Sequence, residues 1–340
     1  MSTLLGQRAV MDTVLKWTSD FAEYERDFKG QVWIDYTQEH AEIPVFATVF
    51  YLAIVFYLPG LLEKCEIKLR LNWMMIAWNL ILAVFSIVGT VRTVPHLLRG
   101  LQSQGFEATV CTDPGLWYLD GPTGLWVGLF IYSKLPELMD TVFLVLRRRP
   151  VIFLHWFHHC TVLLYCWHSY HNRIGPGLWF AAMNFSVHSI MYTYYAAMAG
   201  QWGRSLYTTF APLITTLQIL QMVGGMVVCV TAARRHMAGG AQVCAVDAAN
   251  YKLGLAMYSS YFILFFLLFW NKYFGGKCCG GKSRTASKGN DSKDAPARPN
   301  DETFCGVDLQ ETDTAGRFNN ALLRSHSSFQ RQKDDRIKVQ

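Results

Sequence analysis

The sequence predicts an all-α integral membrane protein with seven transmembrane helices. Three observations carry this. Over 340 residues the chain is 51% hydrophobic and only 16% charged, against about 25% charged in average soluble domains. The apolar residues gather into segments of about 18–25 residues, long enough to cross a hydrocarbon core of roughly 30 Å. Residues 1–43 hold Asp12, Asp20, Glu23 and Glu25 and no short apolar region with a small-residue cleavage site, so the first span is expected to direct insertion.

In order, the spans fall at approximately 44–62, 71–91, 123–146, 151–170, 177–199, 207–231 and 251–270. The first, sixth and seventh stand on hydropathy alone. The third, fourth and fifth carry polar residues and score lower. Ahead of them, Trp17, Phe21, Tyr24 and Phe28 recur at helical spacing. That suits an interfacial helix on the lumenal leaflet, and equally a helix packed on the bundle. The tail is rich in Gly, Ser, Lys, Asp and Arg and is expected to be disordered. The chain thus divides into a lumenal segment 1–43, a seven-span domain 44–272 and a cytosolic tail 273–340.

Orientation follows from the basic residues. Lys64, Lys68 and Arg70, then Arg147, Arg148 and Arg149, then Lys272, Lys277, Lys282 and Arg284 fall on one side if the spans alternate. That side is expected to be cytosolic, which leaves the N-terminus lumenal. Arg234, Arg235 and Lys252 fall on the other side, so the bias is imperfect. The net charge of +6 sits mostly beside spans and in the tail. It fits this rule better than nucleic-acid binding, which wants a basic face with stacking aromatics.

The informative residues are the polar ones inside spans. A mid-span charge costs about 2.5–3.5 kcal/mol on insertion scales, so such residues usually face an interior cavity. The third span carries "KLPELMDT", with Lys134, Glu137 and Thr141 within about 60° on a continuous helix and Asp140 about 60° further round. An ion-pair ladder that merely joins helices would look the same. The fourth carries "HWFHH", with His155, His158 and His159 on one face. The fifth carries "NFSVHSIMYTYY", with Asn184, His188, Met191, Tyr192 and Tyr195 in one stripe. The sixth presents Thr215, Gln218 and Gln221. A single buried histidine is more often a hydrogen-bonded core residue than a catalyst. Four stripes in successive spans are harder to explain as packing. By helical rise, Asp140 and His155 lie roughly 8–10 Å inside the cytosolic boundary, and His188 and Gln218 about 16 Å.

These segments resemble the ELO family of very-long-chain fatty acid elongases, whose marks are KxxExxDT, HxxHH, NxxxHxxMYxYY and TxxQxxQ in that order. Here they read "KLPELMDT", "HWFHH", "NFSVHSIMYTYY" and "TTLQILQ". HxxHH alone is shared with desaturases; the set is specific, and the resemblance runs from about residue 20 to 272. It implies an endoplasmic-reticulum protein whose spans 2–7 bundle around an acyl tunnel. The implied reaction condenses acyl-CoA with malonyl-CoA to 3-ketoacyl-CoA, CO2 and CoA, with no bound cofactor and no metal. The wording around the box is similar to the branch that elongates saturated and monounsaturated chains. Membrane lipid and the reductases and dehydratase of the cycle are the implied partners, and a homodimer is compatible with it.

The site residues expected on this basis are His155, His158, His159, His188, Asp140, Glu137, Lys134 and Asn184 for catalysis. Tyr192, Tyr195, Gln218 and Gln221 are expected along the substrate path. Arg204 and Lys272 are expected at the CoA phosphates, beside Arg147–Arg149. Neutral imidazole can serve as nucleophile or general base without metal, and Asp140 or Glu137 would orient a ring by accepting its other N–H. A di-iron oxidase would need about eight histidine ligands; of the ten here, His40, His96, His236 and His326 lie away from the stripes. A receptor or lipid scaffold needs no histidine face opposing carboxylates. Near the end, Arg336 and Lys338 resemble a dibasic retrieval signal, and Cys278 and Cys279 are candidate palmitoylation sites. Of nine cysteines, only Cys111 and Cys244 fall in lumenal segments. Two unpaired thiols in an oxidising lumen are a liability, so a Cys111–Cys244 disulfide is expected.

Overall fold

Every regular element among the described residues, 2–65, 71–200 and 207–274 of the computed structural model, is helical. Two helices, α1 (Ser2–Asp27) and α2 (Gly30–Glu39), precede the long α3 (Glu42–Lys64) and α4 (Asn72–Gln104). Two short ones, α5 (Phe106–Cys111) and α6 (Pro114–Trp117), lead into α7 (Gly121–Ser133) and α8 (Met139–Leu146). Then come α9 (Phe153–His171), α10 (Gly177–Ala199), α11 (Tyr207–Gly239) and α12 (Ala248–Tyr273). The chain divides into two units, Met1–Phe265 and Phe266–Gln340. In the second, residues 266–274 are described, mostly the last turns of α12. The expected tail signals at Cys278, Cys279, Arg336 and Lys338 lie outside the described residues.

Four described helices, α3, α4, α11 and α12, are long and apolar enough to cross a membrane. They answer to the first, second, sixth and seventh expected spans. The fourth and fifth spans appear as α9 and α10, of 19 and 23 residues, whose histidines, Asn184 and serines dilute their hydropathy. The third span is the correction. It is not one helix over 123–146 but α7, a 3-10 turn at Pro136–Leu138, and α8. Pro136 offers no N–H, and its ring collides with the carbonyl one turn back. The angular spacing computed for a continuous helix therefore does not apply to Lys134, Glu137 and Asp140. Elsewhere helices outrun their apolar stretches: α4 continues to Gln104 and α11 to Gly239. Arg92 and Arg99 end the apolar run of α4, but backbone hydrogen bonding continues to Gly105, whose φ of 81° closes the helix.

Small buried residues let α4 lie along α10. Asn79, Ala83, Ser86, Gly89 and Thr93 form a stripe at helical spacing, the pattern that brings backbones close in membranes. A Cβ on Gly89 would meet the Phe185 ring at 2.5 Å. Helices α9 and α10 feed both large clusters of the core. One gathers Trp126, Phe130, Val162, Cys166 and Phe185; the other gathers Tyr165, Phe180, Val228 and Tyr258.

At its C-terminal end, α1 packs on α7. Glu25 is 1% exposed and accepts from Trp126 Nε1 (2.7 Å) and from Arg92 Nη2 (2.7 Å) of α4. Phe28 is buried, whereas Trp17, Phe21 and Tyr24 stay exposed. Gly30 must be glycine, because a Cβ there would sit 2.3 Å from the Leu119 carbonyl. Beside it, Asp120 accepts from Gly30 N (3.1 Å) and Lys29 Nζ (2.8 Å), and the lysine hydrogen bond holds its carboxyl below the ordinary range.

The Cys111 and Cys244 sulfurs are bonded, with their Cα atoms 4.2 Å apart. The strap around them is continuous: Ala245 N donates to Cys111 O (2.9 Å), and Gly175 N donates to Ala245 O (2.6 Å). The disulfide therefore sits where α9 hands over to α10, at the opposite end of α9 from His155, His158 and His159.

Candidate active site

Helix α9 opens with the histidines. Ile152 is extended (ψ 157°) after Pro150, and the helix then starts at Phe153 with His155 in its first turn. The i, i+3, i+4 spacing puts all three rings together. His155 and His159 centroids are 4.6 Å apart, and His158 and His159 are 5.5 Å apart. His159 is 7% exposed, and His155 and His158 are half-buried. The His158 ring lies 4.9 Å from that of Tyr261 on α12.

The break at Pro136 aims the charged residues inward from two directions. Lys134 (2% exposed) donates to both Glu137 oxygens, at 2.8 and 2.9 Å, and stands 4.3 Å from the Phe130 ring centroid. Ser133 Oγ donates to the same carboxylate (2.8 Å). Lys134 Nζ also donates to Asn184 Oδ1 (3.3 Å), and Asn184 Nδ2 lies 3.1 Å from His188 Nε2. With its oxygen accepting from lysine, the amide must present its N–H2 to His188. That makes Nε2 the acceptor and leaves the His188 proton on Nδ1. The lysine and glutamate thus reach histidine through an asparagine.

Asp140 has a different task. It accepts from Trp78 Nε1 of α4 (2.6 Å) and from Tyr192 Oη of α10 (2.9 Å). The expectation that Asp140 or Glu137 orients a ring of the box is replaced by another contact: Thr141 Oγ1 meets His155 Nε2 at 2.8 Å. Both carboxylates are occupied by other donors, Asp140 by Trp78 and Tyr192, Glu137 by Lys134 and Ser133. Thr141 in turn is 2.8 Å from Tyr51 Oη.

A narrow cavity runs from this cluster along α9. His158, Asn184 and Gln221 stand on its polar wall; Val162, Phe180, Met222 and Tyr258 line its apolar length; Ser169, Ile174 and Gly177 lie at the far end. Gln221 is 8% exposed. Gln218 Nε2 reaches Met191 Sδ at 3.3 Å, and Thr215 bonds its own helix at Ala211 O. Tyr195 packs with Tyr192 and Tyr194. Neither Gln218, Thr215 nor Tyr195 lines the described cavity.

The proposed CoA contacts fare differently. Arg204 lies outside the described residues. Lys272 belongs to the second unit, with its Nζ 5.7 Å from the Tyr273 ring centroid. Arg148 donates to Leu62 O at 2.6 Å, so it caps the last turn of α3. Its φ of 55° turns it there. Arg147 Nη1 reaches Met75 Sδ at 2.8 Å. Among the described residues, no three His, Cys, Asp or Glu form a group that could hold a metal ion. Sequence reasoning missed Tyr51, Trp78, Ser133 and Tyr261: neutral residues in apolar runs carry no local signal of a buried partner.

Fold and site define a multi-pass, helical membrane protein with a histidine cluster, of which His158 lines an internal cavity. A family model described as "ELO: GNS1/SUR4 family" matches residues 36–279, and the chain belongs to that family. Fatty acid elongase 3 of Trypanosoma cruzi is 39% identical over 283 residues, covering 76% of this chain and 93% of the relative. Very long chain fatty acid elongase 4 of the same organism is 42% identical over 264 residues, covering 77% and 91%. Very long chain fatty acid elongase 6 of Drosophila melanogaster is 38% identical over 251 residues, covering 74% and 78%.

Proposed function

We propose that this protein is a fatty acid elongase of the endoplasmic reticulum, the condensing enzyme that joins acyl-CoA and malonyl-CoA. The carrying observation is that His158, Asn184 and Gln221 line a largely apolar cavity, in a chain whose relatives are named elongases. The apolar lining follows α9, the course an acyl chain would take with its thioester at imidazole. Seven spans, a lumenal N-terminus, a cytosolic tail and a tunnel within spans 2–7 complete the reading. Saturated and monounsaturated long chains are the proposed substrates.

The chemistry needs no bound cofactor. A His158 nitrogen attacks the acyl carbonyl, the C–S bond breaks, and CoA leaves as the thiol with the ring proton. Malonyl-CoA then enters. Its C–CO2 bond breaks, the electron pair passes to C2, and C2 attacks the acyl-imidazole carbonyl. The C–N bond to His158 breaks, the ring takes a proton from solvent, and 3-ketoacyl-CoA departs. His188, held as its Nδ1–H form by Asn184, can donate a hydrogen bond from that N–H to the enolate oxygen of malonyl-CoA and keep its proton. CoA phosphates would meet Arg204 and Lys272. The reductases and dehydratase of the cycle would take the product, and self-association as a homodimer is compatible with the reading.

The test is product analysis after expression in cells lacking their own elongase. Two-carbon extension by the wild-type chain, lost in His158→Ala and His188→Ala at unchanged protein level, is the expected result. Full activity in either variant refutes the assignment of that residue. An acyl-enzyme trapped by rapid quenching is expected from the wild-type protein and absent from His158→Ala.

A further inference from the structure

The side of α3 turned to the bundle is Pro44, Thr48, Tyr51, Val55 and Leu62, at helical spacing. Its opposite side exposes Phe46, Phe50 and Phe56. Tyr51 is the exception to a lipid-anchor pattern: it is 1% exposed and its hydroxyl is buried among three helices. That hydroxyl lies 2.8 Å from Thr141 Oγ1 of α8, and Thr141 Oγ1 lies 2.8 Å from His155 Nε2 of α9. The Tyr51 ring also stands 6.1 Å from the His159 ring centroid.

The order of protons along this chain follows from its ends. A phenol is a better donor than an aliphatic hydroxyl, and an unprotonated imidazole nitrogen is a better acceptor than either oxygen. Threonine has a single proton to give. The favoured arrangement is Tyr51 O–H to Thr141 Oγ1, then Thr141 O–H to His155 Nε2, each bond polarising the next. We propose that Tyr51 is a positioning residue of the histidine cluster, acting through Thr141 to hold His155 in its Nδ1–H tautomer. The first long helix of the chain is then part of the site as well as a membrane anchor. The inference rests on the elongase reading for its kinetic consequence, but the tautomer stands apart from it.

The experiment uses the full chain in detergent with palmitoyl-CoA and malonyl-CoA, and compares Tyr51→Phe, Thr141→Val and Thr141→Ser. Tyr51→Phe and Thr141→Val should lower kcat about tenfold with KM unchanged, the low end of what losing an orienting partner costs. Thr141→Ser, which keeps the hydroxyl, should retain the wild-type rate. With 15N-labelled histidine, the unprotonated Nε2 resonance that disappears in His155→Gln should shift toward a tautomer mixture in Tyr51→Phe and Thr141→Val. A wild-type rate and resonance in Tyr51→Phe, or identical behaviour of Thr141→Val and Thr141→Ser, overturns the proposal. If Tyr51→Phe does not fold, the two threonine variants decide. If the wild-type chain elongates nothing, the elongase reading fails, and the resonance still decides the relay.

Discussion

Lys134 shows how a buried charge is satisfied. Its ammonium is held by Glu137 at 2.8 Å and spends a further hydrogen bond on Asn184. Breaking a buried pair by removing one partner costs about 3–5 kcal/mol, whereas replacing both with apolar residues is often neutral. Lys134→Met should therefore lower the melting temperature sharply and abolish elongation. Lys134→Met with Glu137→Met should recover most of the melting temperature and none of the activity, because Asn184 loses the donor that fixes its amide. Thermal unfolding alongside the elongation assay checks both halves; recovered activity in the double variant would refute the link to His188. The two charges were legible in the sequence because a charge in a span is conspicuous. Their reach through Asn184 was not, since it depends on the position of α10. Thr141 stood inside a marked segment, yet Tyr51 sat in a run read only for its hydropathy.

At the scale of the element, α9 carries the histidine cluster, and on the proposed reading it also sets the length of the product. From His158 to Ser169 the helix advances about 16 Å, and to Val162 about 6 Å; both residues line the cavity. Val162→Phe should shorten the longest product strongly, and Ser169→Phe should shorten it slightly. A product profile unchanged by both variants would mean that the acyl chain runs elsewhere. Helix α1 makes a second prediction. Its hold on the rest of the protein centres on Glu25, which receives Trp126 and Arg92. Glu25→Ala leaves a buried indole N–H without its acceptor, a loss of about 1–3 kcal/mol. Trypsin should then cut at Lys16 and Arg26 faster than in the wild-type protein, and equal rates would show that α1 docks without this carboxylate. The aromatic spacing of Trp17, Phe21, Tyr24 and Phe28 foretold the helix. It did not foretell that Phe28 would dock while the other three stay exposed, because only tertiary neighbours separate an apolar stripe into used and unused parts. Pro136 is equally visible in the third span, and its missing N–H outweighs the hydropathy that favours one continuous helix.

For the whole molecule, the Cys111–Cys244 bond ties together residues 133 apart in sequence. The loop-entropy argument gives it about 4–5 kcal/mol, an upper figure because membrane spans already restrict the unfolded chain. Cys111→Ser with Cys244→Ser should unfold at lower temperature yet keep its elongation rate in the cold. The reason is distance: from His158 to the end of α9 at His171 the helix advances about 20 Å, and the strap lies beyond that end. Loss of activity in fully folded double-serine protein would contradict that separation.

The same strap sets a clock on assembly. Its first sulfur leaves the ribosome 133 residues before its second. At about 5–20 residues per second of synthesis, Cys111 waits roughly 7 to 27 s with no mate while helices α6 to α11 are being made. During that interval the thiol is open to foreign partners, including its counterpart on another nascent chain. Closure of the bond marks the moment when the cavity has received nearly all of its walls, with α12 the last to arrive.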